Sequence, residues 1–293
     1  MKSRPVWAVL LFLLVFSCGI KENSHDPQNE ILDWGRNPGL RIQYLHEQGI
    51  TGKGVHIALA GSSVYPSHQE YRDKCVFHTV IPDTDLESEP EGTACASILI
   101  GKTCGIAPDA VLHVWDKREG QQKILSEIIE YNREQFPEDR IRVAVFPNCT
   151  PEKKLKSGAE KEGIFVLCCS DAVYGVQCDV LGDKESYLSY TLQNNDPQNK
   201  KRAFGAVLVP CGNKTAACCS GPSEYEFRDI ESRETELAFY GGVLALGFQA
   251  GPDLTPRELR DIVHFTGIPL YGGRIINPLG IIEEIRGSDK TSI

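Results

Sequence analysis

Val55-His56-Ile57-Ala58-Leu59-Ala60-Gly61-Ser62-Ser63 decides the fold. Gly52 and Gly54 precede an apolar run that stops abruptly in small residues. A short run with apolar residues on both sides suits a strand buried on both faces, as in a parallel sheet. Sites in such sheets form where strands end and the chain turns outward. Gly61, just past the strand, is therefore where chemistry is expected, yet it has no side chain. Further strands read at Val76–Ile81, Val111–Trp115, Arg142–Pro147, Ile164–Cys169 and Ala206–Cys211. Helical patterns alternate with them at Glu91–Gly101, Gln121–Gln135, Lys153–Glu162 and Glu234–Ala250. Thr255 and Pro256 cap and open one more. The stretch Asn194–Lys201 reads as an exposed loop. This alternation predicts an α/β fold with a doubly wound, mostly parallel sheet and helices on both faces. No internal repeat or domain break is visible.

The 293 residues, 41% hydrophobic, suffice for one sizeable core. A net charge of −9 argues against a nucleic-acid partner. Lys2 and Arg4, the apolar Val6–Phe16 and the small Ser17 describe a secretory signal over residues 1–17. Cys18 follows directly, and the segment resembles a bacterial lipobox. That resemblance implies diacylation of Cys18, a membrane-anchored protein and a bacterial cell-envelope location. An ordinary cleaved signal is the alternative. Removing residues 1–17 deletes Lys2 and Arg4 and takes the formal charge from −9 to −11. Residues 18–30 read as a lipidated tether, 31–286 as the folded domain and 287–293 as a polar tail. Two Asn-x-Thr sequons, at Asn148 and Asn213, matter only in a eukaryotic host.

Of the 11 cysteines, Cys18 is set aside for lipid, and the even remainder permits disulfides in an oxidising compartment. Their spacing lacks a CxxC pair, and no metal or other cofactor is expected. His56, His68 and His113 read as structural or surface residues.

Several blocks resemble, in order, the subtilisin-like serine proteases. Gly49-Ile50-Thr51-Gly52-Lys53-Gly54-Val55 with Ile57-Ala58 is similar to that domain's opening. Gly92-Thr93 with Ala96 and Ile98 resembles its second motif, and Gly105–Ala110 the segment after it. Gly163–Cys169, Pro252–Pro256 with Leu259–Ile262, and Tyr271–Pro278 resemble its later strand, closing helix and last turn. The resemblance implies a subtilisin-like fold and a catalytic aspartate, histidine and serine, with an asparagine for the oxyanion. The matching positions here are Gly61, Glu91, Glu234 and Asp171. All four differ, and Asp171 would oppose an oxyanion. A pseudoprotease that binds a peptide or protein ligand is the first expectation. The alternatives are a peptidase in which Glu91 and Glu234 share a proton, and a structural envelope lipoprotein.

Cys149, Cys168, Cys169 and Cys211 lie at or just past strand ends that this fold places side by side. At least two of these ends are expected to cluster at the old active-site edge, where a disulfide or buried free thiols would both fit. Only one of Cys168 and Cys169 can face each side.

Overall fold

The computed structural model describes residues 27–78, 90–116, 121–192, 197–229 and 232–289. Strands β1 (His56–Ala60), β2 (Cys75–Phe77), β3 (Val111–Trp115), β4 (Ile141–Phe146) and β5 (Phe165–Cys168) form a parallel sheet. Their order is β2-β3-β1-β4-β5. The chain is thus α/β, and both faces of the sheet are buried. Ile57, Leu59, Val143, Val145, Phe165 and Leu167 join one core. Ala58, Ala60, Ala144, Phe146, Val166 and Cys168, the residues between them, join the other. This strict alternation is the strand period of two expressed as two cores.

Helices α3 (Pro90–Ile100) and α7 (Arg233–Ala250) supply the first core, α4 (Gln121–Glu134) and α5 (Lys153–Lys161) the second. Residues Thr235 to Phe248 of α7 are all buried, so this helix has no polar face to present to solvent. Its first turn is fixed by a capping box between Ser232 and Thr235. Helix α8 (Pro256–Thr266) starts as the sequence predicts, with Thr255 at the cap and Pro256 in the first turn.

The expected single sheet is instead two. Strands β6 (Val173–Cys178), β7 (Tyr190–Thr191), β8 (Val207–Pro210), β11 (Ile268–Leu270) and β12 (Gly273–Ile275) form a second, mixed sheet. Its order is β11-β12-β8-β6-β7. A tight turn separates β5 from β6, with Asp171 N bonded to Cys168 O and Val173 N to Asp171 O. Arg233 takes the carbonyls of Cys169, Asp171 and Val173, so these groups serve a guanidinium rather than a ladder joining the two sheets.

Strands β9 (Lys214–Ala217) and β10 (Tyr225–Arg228) form an antiparallel hairpin that receives α1 (Pro27–Arg36). Thr215 Oγ1 donates to Leu32 O, and Trp34 lies against Phe227. The buried Lys184 Nζ donates to Trp34 O, Asn37 O and Asn213 O. Burial pushes Lys184 down to about 6 and its neighbour Lys214 down to about 8. Helix α2 (Ile42–Glu47) continues this segment, and α9 (Pro278–Asp289) closes the chain.

Some boundaries differ from the sequence reading. Pro27 opens α1, so residues 27–30 are helical rather than tether. Asp289 ends α9, inside the expected tail. Helix α6 (Pro197–Ala203) occupies most of the expected loop at Asn194–Lys201. Strand β2 ends at Phe77, and residues 79–81 of the longer expected strand lie outside the described residues, as do residues 1–17 and Cys18. Among the described residues no helix is long and apolar enough to cross a membrane.

The strand order also assembles a histidine ladder. His113 is 1% exposed and sits between His56 Nδ1 and His78 Nε2, each contact 2.9 Å. A neutral imidazole donates once and accepts once, so the ladder is satisfied when uncharged. His78 stacks on Trp115 at 3.8 Å, with Tyr131 edge-on. Burial, then His56 and His78, push His113 down to about 3 from 6.5. Folded His113 therefore stays neutral while the unfolded chain takes up a proton near pH 6.5. This contribution to stability is complete above pH 6.5 and falls as pH drops from there toward 3. Between pH 7.5 and 5 the loss is about 2 kcal/mol from His113 alone. Urea midpoints across that range should show it in the native protein and a flatter profile in His113→Asn. Equal slopes would remove the ladder as the source.

Candidate functional site

The chain leaves β1 toward the first core, through Val64 and Tyr71, and leaves β4 toward the second, through Ala159. Such a divergence opens a crevice at the carboxyl ends of the strands. Gly61, directly after β1, has φ +76, and its N–H donates to Trp115 O at 2.9 Å. A Cβ built there meets nothing within 4 Å. The space beside Gly61 is open, but no functional group of Gly61 reaches it. Asp116, fully buried after β3, accepts from Ser63 Oγ at 2.6 Å.

Gly92 brings the first turn of α3 directly against this loop, since a Cβ there would lie 2.0 Å from Ser63 O. Glu91 beside it forms an ion pair with Arg228. Its second oxygen accepts from Ser232 Oγ at 3.3 Å. Arg228 also holds Glu226 at 2.7 Å. Glu234, in the first turn of α7, joins this group through Cys95. Burial, then the charges of Glu234 and Glu91, hold the Cys95 thiol well above its usual range.

Asp171 faces Lys156, with Nζ to Oδ1 at 2.6 Å, and its other oxygen accepts from Cys168 N at 2.8 Å. Arg233 joins this part of the edge to α7. Its Nε donates to Cys169 O at 3.1 Å, and its terminal nitrogens to Asp171 O and Val173 O, both at 2.6 Å. It also pairs with Glu236 at 2.6 Å. Glu236 is only 7% exposed, and burial raises its carboxyl above the usual range while Arg233 opposes that rise.

No protein-family model and no curated protein matches the chain. The chemistry of the edge is therefore read from its own atoms. Gly61, Glu91, Glu234 and Asp171 lie along one continuous edge, linked through Gly92, Ser232 and Arg233. Glu91 is matched by a guanidinium and Asp171 by an ammonium and an amide. The hydroxyl beside Glu91, Ser232 Oγ, is engaged in the capping box of α7, and the thiol beside Asp171, Cys168 Sγ, lies 3.5 Å from Oδ2 and also meets Lys156 Nζ. Among the described residues no His, Cys, Asp and Glu form a group of three able to hold a metal ion.

Of the four cysteines expected near one edge, Cys211 lies apart. Cys149, Cys168 and Cys169 meet beyond β4 and β5, where Cys169 N donates to Cys149 O at 3.1 Å. Cys211 follows β8, whose neighbours are β12 and β6, and its Sγ faces Val176 O. Among the described residues no two cysteines are joined in a disulfide in this structure.

Sequence reasoning did not single out Arg228, Arg233, Lys156 or Asp116. Two of them carry a signal. A basic residue at the first position of a helix opposes the macrodipole, so Arg233 at the start of α7 must serve another purpose. Asp116 is an acid at the end of an apolar strand, the place where sites form.

Proposed function

We propose that the chain is a lipid-anchored pseudoprotease of subtilisin-like descent, working by binding a peptide or protein ligand. The observation that carries this reading is the occupied state of the carboxylates. Glu91 and Asp171 stand where the resemblance implies a base and an oxyanion donor. Their ion pairs with Arg228 and Lys156 are those of groups that hold the fold. Gly61 supplies neither charge nor hydrogen bond where an aspartate would orient a base. The ordered motifs and the β2-β3-β1-β4-β5 parallel sheet support a scaffold of that type. A ligand would lie at the switch point between β1 and β4, outside the carboxyl ends of the strands.

Diacylation of Cys18 would hold the domain at a bacterial envelope membrane, through residues 18–26. With Lys2 and Arg4 removed, the formal charge of −9 becomes −11 and would repel an anionic surface, leaving attachment to the lipid. The test is capture of peptides from a random library by the mature protein. Saturable capture, with every peptide recovered at full length, is expected. Recovery of shortened peptides would refute the binding-only reading, and absence of capture would favour a purely structural envelope role.

A further inference from the structure

The ends of β4 and β5 bring two thiols within reach of each other. Cys169 N donates to Cys149 O at 3.1 Å. Adjacent strands run about 4.8 Å apart, inside the Cα separation of roughly 4.4–6.8 Å that a disulfide spans. Cys169 Sγ lies 3.3 Å from Thr150 Oγ1, so its side chain turns back toward the 149–150 segment. Cys149 senses its neighbours: burial, then Cys169, then Cys168, push its thiol up to about 12.

Cys168 is held elsewhere. Its Sγ lies 3.4 Å from Lys156 Nζ, 3.4 Å from Ser170 Oγ and 3.5 Å from Asp171 Oδ2. Successive residues at a strand end face opposite sides, so Cys168 and Cys169 do not share one role. Access differs as well. Cys149 and Cys168 are buried, whereas Cys169 is partly exposed. Cys169 lines a cavity of about 500 Å³ with Asp171, Arg202, Arg233 and Glu236.

We propose that Cys149 and Cys169 form a redox pair that a small-molecule disulfide, such as glutathione disulfide, closes. The accessible Cys169 attacks as its thiolate. The external S–S bond breaks, and one thiolate leaves and is protonated by solvent. Cys149 then gives its proton to solvent and attacks the Cys169 sulfur, and the second small thiol leaves. One external disulfide is reduced to two thiols while two cysteine thiols are oxidised to one disulfide. Closure fastens the turn after β4 to the loop that Arg233 grips, so it sets the wall of the crevice whether or not the chain cleaves peptides.

The full mature protein is incubated with glutathione disulfide at pH 8, alkylated after denaturation, digested and mapped by mass. A Cys149–Cys169 linked peptide and loss of both thiols from the alkylated pool are expected. Cys168→Ala should keep the link. Cys169→Ala should abolish it and leave Cys149 fully alkylated, with circular dichroism confirming a folded variant. Complete alkylation of both thiols in the native protein, or linkage of Cys149 to Cys168 or Cys211, would overturn the proposal.

Discussion

Arg233→Ala is expected to lower stability by about 3 kcal/mol. The change strips the donor from three carbonyls of the β5–β6 turn and leaves Glu236 buried without its cation. Removing one partner of a buried pair costs about 3–5 kcal/mol. The guanidinium is itself 24% exposed, so the lower end applies. Urea unfolding at pH 7 measures this as a lower midpoint. Arg233→Lys should recover only part of the loss, because an ammonium cannot reach three carbonyls as a rigid fork does. A change under about 0.5 kcal/mol in Arg233→Ala, the size of an ordinary surface substitution, would mean the turn is held by other contacts.

Gly92→Ala should destabilise by about 3 kcal/mol, the upper range for forced overpacking. Intrinsic propensity alone favours alanine in a helix by about 1 kcal/mol. Here the new methyl would sit 2.0 Å from Ser63 O and 2.9 Å from Ser63 C, both backbone atoms that cannot rotate away. Helix α3 would have to lift from the loop after β1, and α3 is buried along Gly92 to Ile100. Gly158→Ala in α5 is the matched control, since a Cβ there meets nothing within 4 Å. It should raise stability by about 1 kcal/mol. Opposite signs in the two variants separate close approach from helix propensity. The same sign in both would refute the contact as the reason for Gly92.

The parts of the fold that rest on local pattern were legible. The apolar run Val55–Ala60 reads as a strand buried on both faces because its alternate residues feed two different cores. Thr255-Pro256 reads as a helix start because its hydroxyl and ring satisfy first-turn requirements locally. The parts that were not legible depend on side chains reaching across the chain. Arg233 grips the turn between the two sheets by taking carbonyls some 60 residues away. His56, His78 and His113 form one ladder only because β3 lies between β2 and β1. Cys211 leaves the expected thiol group because β8 belongs to the second sheet. The positions Gly61, Glu91, Glu234 and Asp171 rest on the flanking motifs of the resemblance. What neutralises Glu91 and Asp171 was not legible, because Arg228 and Lys156 lie in unrelated segments.

Peptide hydrolysis tests the central claim most directly. The mature protein, Glu91→Gln and Glu234→Gln are each incubated with a peptide library from about pH 3 to 8, and products are read by mass spectrometry. No cleavage above the no-protein control is expected at any pH, in all three proteins. Cleavage by the native protein that Glu91→Gln or Glu234→Gln abolishes would contradict that claim and identify the carboxylates as the catalytic residues of an active peptidase.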